Sequence, residues 1–298
     1  MSYTLNLNNS QSDLIIKKYQ DYSIKHTNNY TLFRAKYKGA TITLYKTLTL
    51  LVQGSKAANV YKEICDTLDI SVAIEEKNTE VPINLRVIGT DEVGTGDFFG
   101  PIIVAGAFVD KDKIIPVMKL GVKDSKDLDD NKIKEIAVEL IKIIPFQIVS
   151  LDNMKYNYLT QVLNYNMNKI KALLHNDVIL KLTQKVQDYD AVIIDAFTTK
   201  EKYLDYIDDQ KTKMLNVELV EKAESKYLSI ACASILARNA FLKQMDKLSD
   251  EIGFELPKGA SNKVDLAIAK ILKEQSESIL TKCAKTNFKN LDKVKNNH

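Results

Sequence analysis

Residues 89–96 read Gly-Thr-Asp-Glu-Val-Gly-Thr-Gly. Two adjacent carboxylates, Asp91 and Glu92, close an apolar run that begins at Leu85, and glycines follow at once. Successive strand residues point to opposite faces. Both acids therefore reach one place only if the strand ends or bends there, which Gly94 and Gly96 make easy. Concentrated negative charge is costly unless a cation neutralises it, and hard divalent ions such as Mg2+ take oxygen ligands of this kind. The segment predicts a buried strand with a cation-seeking end.

The surrounding chain predicts a mixed α/β sheet. Strands are expected at Leu85–Glu92, Pro101–Val109, Pro145–Leu151, Ala191–Asp195 and Met214–Val220. Helices are expected at Asp129–Ile143, near Asn157–Leu174 and Asp177–Asp188, at Ser225–Leu248 with its many small residues, and at Asp265–Glu274. A hairpin followed by helical crossovers gives such a sheet. Asp195 also ends an apolar strand, and Glu224 stands just before the long helix. A lone acid at a strand end is ordinarily a turn or cap. Four at element ends, Asp91, Glu92, Asp195 and Glu224, suit two-metal phosphoryl chemistry without histidines if their strands are neighbours.

Residues 1–70 predict a separate small unit. Helical spacing over Ser10–Ser23, capped by Ser10 or Ser12, precedes an alternating Tyr30–Gly54 stretch of about three antiparallel strands. A second helix follows over Ser55–Leu68 with Ser55 as its cap. The unit carries nine Lys/Arg against five Asp/Glu, and seven of the chain's fourteen tyrosines fall within the first 61 residues. Its sheet can meet phosphates and stack aromatics on sugars or bases, or its tyrosines and phenylalanines can simply fill the core. Residues 71–85, with Glu75, Glu76 and Pro82, interrupt both patterns and predict a linker.

Other classes are excluded by what is missing. The chain has 298 residues, 45% of them hydrophobic and 27% charged, a globular balance. No apolar run is long enough to span a bilayer, and the start lacks the order of a secretory signal, so a cytoplasmic protein is expected. The three cysteines are far apart, and the three histidines make no HxH or HxxxH pattern. This argues against a histidine-based zinc site or a Ser-His-Asp triad. Gly94-x-Gly96-x-x-x-Gly100 leads into Pro101 and a strand, unlike a dinucleotide loop. Five lysines in the last eighteen residues against Asp292 alone form a basic tail, most simply disordered.

Four segments in order resemble the motifs of the type 2 ribonucleases H: IGTDEVGTGDFFGPIIVAGAF, GVKDSKDL (Gly121–Leu128), VIIDAF (Val192–Phe197) and KAESKYLSIACASILAR (Lys222–Arg238). The GTG loop, Glu as the fourth acid and the small N-terminal unit are similar to the ribonuclease HIII branch. The resemblance implies a ribonuclease H-like mixed sheet with flanking helices at 86–298, preceded by a small α+β, TATA-box-binding-protein-like substrate-binding domain at 1–70. It implies an endonuclease that hydrolyses the RNA strand of RNA–DNA hybrids, leaving 5′-phosphate and 3′-hydroxyl ends. Asp91, Glu92, Asp195 and Glu224 would hold two Mg2+ ions, with Mn2+ as a substitute, about 4 Å apart. Gly94, Thr95 and Gly96 would read the 2′-hydroxyl. Lys123, Ser125 and Lys126 would contact phosphates, and Ser225, Lys226 and Ser234 would support the substrate. Asp97 adds another acid to which no catalytic role is given. A monomer is expected. Excision of single ribonucleotides from duplex DNA, and a catalytically inactive hybrid-binding module, are the alternatives.

Overall fold

The computed structural model describes residues 2–25, 31–54, 56–70, 86–122 and 128–296. They fall into two compact units, Met1–Asn78 and Thr79–His298. The expected linker at 71–85 lies outside the described residues.

The first unit is a four-stranded antiparallel sheet with two helices on one face. Its elements are β1 (Ser2–Asn6), α1 (Asn9–Tyr19), β2 (Thr31–Tyr37), β3 (Ala40–Tyr45), β4 (Thr49–Gly54) and α2 (Ala57–Thr67), and the strand order is β1-β4-β3-β2. The three strands expected after Tyr30 are present, and β1 adds a fourth that the sequence reading missed. Asn8 caps α1, and neither Ser10 nor Ser12 does so: Asn8 accepts from the Gln11 amide while the Gln11 side chain returns to the Asn8 amide. Ile15, Tyr19, Ala35, Ile42, Leu50, Val52, Val60 and Ile64 fill the space between sheet and helices. Tyr19 and Tyr61 are core residues, whereas Tyr22 is exposed. On the opposite sheet face Lys36 pairs with Thr41 and Thr41 with Gln53, while Arg34 pairs with Thr43 and Thr43 with Leu51.

The second unit is built on a five-stranded mixed sheet of order β7-β6-β5-β8-β9. Its strands are β5 (Val87–Val93), β6 (Ile102–Phe108), β7 (Phe146–Leu151), β8 (Ala191–Asp195) and β9 (Glu218–Val220). Its helices are α3 (Ile114–Lys119), α4 (Asp130–Ile143), α5 (Asn153–Gln161), α6 (Met167–Thr183), α7 (Lys200–Tyr206), α8 (Leu228–Ile252), α9 (Asn262–Glu274), α10 (Glu277–Cys283) and α11 (Lys289–Asn296). Strand β6 is buried along its whole length, because helices cover both faces of the sheet. Helix α8 lies on one face: a Cβ on Gly89 would meet Ile230 Cγ1 at 2.5 Å and the Ile230 amide nitrogen at 2.7 Å. Helix α6 lies on the other, where a Cβ on Gly106 would meet Val178 Cγ1 at 2.6 Å. Glycine is therefore demanded on both sides by close helix–sheet approach.

Three expectations need correction. The helix pair near 157–188 is really α5 and α6, divided at Asn164, whose φ is 54°, and restarted by Asn166 as a cap for the Lys169 amide. The strand expected at Met214–Val220 is ordered as β9 only from Glu218. The basic tail is not disordered: α11 packs Leu291 and Val294 into the main core. Among the described residues no helix is long and apolar enough to cross a membrane.

Candidate active site

Topology brings the four acids to one sheet edge. Strands β5 and β8 are parallel, with Thr90 opposite Ile194. One step further along that register, Asp91 and Asp195 stand on neighbouring strands. Strand β9 is parallel to β8, with Asp195 opposite Val220. The chain then turns through Lys222, at φ 53°, into a single 3-10 turn over Ala223–Ser225 that carries Glu224. The Ala223 amide donates to Asp195 Oδ1 at 2.7 Å, tying this turn to the end of β8.

Strand β5 does not bend at its acids. Its ladder with β6 continues through Val93 opposite Ile103, so Asp91 and Glu92 keep to opposite faces. Asp91 points to the α8 side and hydrogen-bonds Ser234; its Oδ1 also accepts from the Glu92 amide at 2.7 Å. Glu92 points to the α6 side. Lys171 Nζ donates to its Oε1 at 2.8 Å, and His175 Nε2 lies 2.9 Å from its Oε2. A carboxylate only accepts, so Nε2 carries a proton, and in the neutral ring Nδ1 accepts from the Thr90 hydroxyl at 2.7 Å. Phe197 backs this arrangement, stacked on the His175 ring and lying beneath the Lys171 ammonium.

The electrostatics follow from this placement. Burial, then the charge of Glu92, push the Asp91 carboxyl up to about 7, with Asp195 adding to the effect. Burial also raises Asp195, to about 6, helped by the charge of Glu224 and a hydrogen bond shared with it. Burial works against the charge on Glu92 too, but His175 and Lys171 outweigh it and hold Glu92 below its ordinary value. The four acids thus interact with one another, and Lys171 sets positive charge beside Glu92. Oxygen-only donors under mutual repulsion suit a hard divalent cation. Among the described residues no three acid, histidine or cysteine side chains close into a metal-holding group; Glu92 is turned to its lysine and histidine, and Asp195 to the Ala223 amide.

The expected substrate residues divide. Gly94 is buried, has φ 89°, and a Cβ there would meet the Pro101 carbonyl at 2.2 Å, so its glycine is required by the turn itself. Gly96 is exposed and a Cβ there would meet nothing within 4 Å; Thr95 is half-buried beside it. Ser234 serves Asp91. Ser225 Oγ donates to the Lys222 carbonyl and Lys226 Nζ to the Glu221 carbonyl, both within their own turn. Lys123, Ser125 and Lys126 lie outside the described residues. Asp97 Oδ1 accepts from the Gly259 amide at 2.6 Å, a loop anchor. The sequence reading looked for a site without histidine and missed Lys171 and His175. Their spacing of four residues, which puts both on one face of a helix, was the available signal.

The family model for Ribonuclease HII matches residues 88–291, and that of a Domain of unknown function (DUF3378) matches residues 3–64. Ribonuclease HIII of Streptococcus agalactiae serotype Ia is 38% identical over 275 residues, covering 92% of this chain and 91% of the relative. Ribonuclease HIII of Bacillus pumilus is 41% identical over 277 residues, covering 89% of each. The crystal structure of Bst-RNase HIII in complex with Mn2+ superposes with a TM-score of 0.72 at 35% identity, covering 99% of this chain and 98% of that one. An acidic sheet edge on a mixed sheet, preceded in sequence by a small four-stranded unit, with these similarities along nearly the whole chain, places the protein: it belongs to the ribonuclease HIII family of type 2 ribonucleases H.

Proposed function

We propose that Asp91, Glu92, Asp195 and Glu224 hold a pair of divalent cations, Mg2+ or Mn2+ in its place, and with them cut the RNA strand of an RNA–DNA hybrid. Members of the family are divalent-metal-dependent ribonucleases H that act on such hybrids, and a relative has been crystallised with Mn2+. The observation that carries the assignment of residues is the shared sheet edge. Acids from three separate stretches of chain meet there: burial and the charges of Glu92 and Asp195 raise Asp91, and burial and the charges of Glu224 and Glu92 raise Asp195.

When bound, the cations would supply an activated water and neutralise charge developing on the scissile phosphate. The chain's own residues prepare the place. Ser234 and the Glu92 amide orient Asp91. His175, steadied by Thr90, fixes one oxygen of Glu92, and Lys171 occupies the other, from which a bound cation would have to displace it. The Ala223 amide fixes Asp195. Exposed Gly96 lets a ribose come close to backbone, and Gly94 and Thr95 shape that turn. Lys123, Ser125 and Lys126 are proposed to meet phosphates, and Ser225 and Lys226 to line the substrate path. Cleavage would leave 5′-phosphate and 3′-hydroxyl ends. We take residues 1–70 as a substrate-binding domain, 71–85 as a linker and 86–298 as the catalytic domain. Three buried, unbridged cysteines fit a reducing, cytoplasmic setting, and we take the acting species to be a monomer.

Cleavage of an all-RNA/DNA hybrid, a duplex with one ribonucleotide, duplex RNA and duplex DNA, each with Mg2+ or Mn2+, tests this reading. Metal-dependent cutting of the hybrid is expected, lost in Asp91→Asn while hybrid binding is kept. Full activity in Asp91→Asn refutes the assignment. Preference for the single-ribonucleotide duplex transfers it to the excision activity.

A further inference from the structure

Lys285 belongs by sequence to the basic tail, yet it is fully buried. Its Nζ donates to the Asp97 carbonyl at 2.8 Å and to the Gly100 carbonyl at 2.5 Å. Around it, the segment after α10 lies against the turn joining β5 to β6. The Gly100 amide donates to the Cys283 carbonyl at 2.9 Å, the Lys285 amide donates to the Phe98 carbonyl at 2.8 Å, and Phe99 bridges Ala284. A buried ammonium is costly unless its donors are used, and burial pulls this one down to about 7 against the opposing charge of Asp97. A methionine would fill the same space without that cost. What the lysine adds is a donor that joins two carbonyls of one tight turn.

The position of that turn gives the contact its meaning. Its first half, Gly94-Thr95-Gly96, begins two residues after Glu92 and ends exposed at Gly96. Its second half, Asp97–Gly100, is fastened inward. The Phe241 ring lies against the places where both Gly94 and Gly100 would carry a Cβ, so the two ends of the loop share a support. Asn153 Nδ2 donates to the Gly100 carbonyl as well, at 2.9 Å.

We propose that Lys285 is a positioning residue for the glycine loop: by tying the Asp97 and Gly100 carbonyls to the C-terminal segment, it sets where Thr95 and Gly96 meet the ribose of the substrate. The inference rests on the reading above that this loop touches substrate. It does not involve the acids, which are held by β5, α6, α8 and the turn after β9.

The test is steady-state cleavage of an RNA–DNA hybrid at saturating Mg2+ by full-length Lys285→Met, well below its melting temperature, together with calorimetric Mn2+ binding without substrate. Expected are a KM raised about tenfold, a kcat within about threefold and an unchanged Mn2+ affinity. A core truncation on α4, Leu140→Ala, which loosens the fold without touching the loop, should leave KM alone. A KM within twofold of the parent, or one that Leu140→Ala reproduces, overturns the inference. Should Lys285→Met fail to fold, Lys285→Gln, whose nitrogen sits one bond nearer the backbone and so should not span both the Asp97 and Gly100 carbonyls, carries the same test with the same expected rise in KM. Gly96→Ala separates the two readings, since its Cβ meets nothing in the protein. If Gly96→Ala raises KM and Lys285→Met does not, only the role of Lys285 falls. If neither does, the substrate loop falls with it. A raised KM in Lys285→Met alone supports the lysine's role and removes close approach at Gly96.

Discussion

Lys171 stands 2.8 Å from Glu92, both side chains nine-tenths shielded, and this tethered cation helps His175 hold Glu92 below its ordinary value where Asp91 and Asp195 are raised. Lys171 is positively charged where a divalent ion is proposed to bind, and the two compete. Removing it with Lys171→Met should strengthen Mn2+ binding by about tenfold at low salt, the scale of one shielded charge–charge contact. Calorimetry reads this directly. Weaker binding in the variant would mean that Lys171 instead prepares Glu92 for the ion.

Asp91 and Asp195 give a pH dependence with a definite sign. Both folded-state values, about 7 and about 6, lie above the ordinary carboxyl value. The ion-free folded chain therefore binds protons more tightly than the unfolded chain. The stabilisation is complete below about pH 4 and is lost as pH rises, through about 6 for Asp195 and about 7 for Asp91. Thermal melts in chelator should fall across that window. Asp91→Asn should flatten the fall and be the more stable protein at pH 8, by up to about 2 kcal/mol once solvent access to the site is allowed for. Adding Mn2+ to the parent should restore the lost stability by mass action and release protons, visible as a buffer-dependent binding enthalpy. A parent that grows more stable from pH 5 to pH 7 in chelator contradicts the packing of these acids.

What the sequence showed and what it hid follow from the range of the forces involved. Strand β8 was legible to the residue because an unbroken apolar run ended in Asp195. That Asp91, Glu92, Asp195 and Glu224 would lie near one another was legible because each sits at or close to an element end. The break between α5 and α6 was hidden because Leu159, Val162 and Leu163 continue a helical spacing, and only Asn164 in a left-handed conformation stops it. Helix α11 was hidden by its lysines: the two residues that bury it, Leu291 and Val294, are three apart in a polar stretch. Lys171, His175 and Lys285 were hidden for a different reason. Their partners lie 79, 83 and 185 residues away along the chain, so even the four-residue spacing of Lys171 and His175 does not say what they face.

The approach of α8 to β5 supports a further expectation. Gly89→Ala would place a methyl 2.5 Å from Ile230 Cγ1, 2.6 Å from Ser229 Oγ and 2.7 Å from the Ile230 amide nitrogen. The side-chain atoms can rotate away, but the backbone nitrogen cannot, so the helix must move. Overpacking of this kind costs about 1–3 kcal/mol, and it acts two residues from Asp91 on the same face of β5. Urea unfolding should show that loss. Cleavage should fall further than the stability loss alone accounts for, because lifting α8 carries Ser234 away from Asp91.

If the first unit binds substrate as proposed, the sheet face opposite its helices should carry part of the affinity. Arg34 and Lys36 are exposed there, with half-buried Thr41 and exposed Gln53 across from Lys36 and buried Thr43 across from Arg34, while Phe33 and Ala35 are buried. No ion pair among the described residues engages either cation, unlike Lys18 and Lys38, which share Glu63. Charges set this way neutralise phosphates without reading sequence. The double variant Arg34→Ala/Lys36→Ala should fold as the parent does and leave kcat unchanged. It should raise KM for hybrid several-fold at about 0.1 M salt and make the slope of log affinity against log salt shallower by about one to two. Deleting residues 1–75 should do the same more strongly. Equal salt slopes for parent and double variant would take this face out of the substrate path and leave binding to the second unit alone.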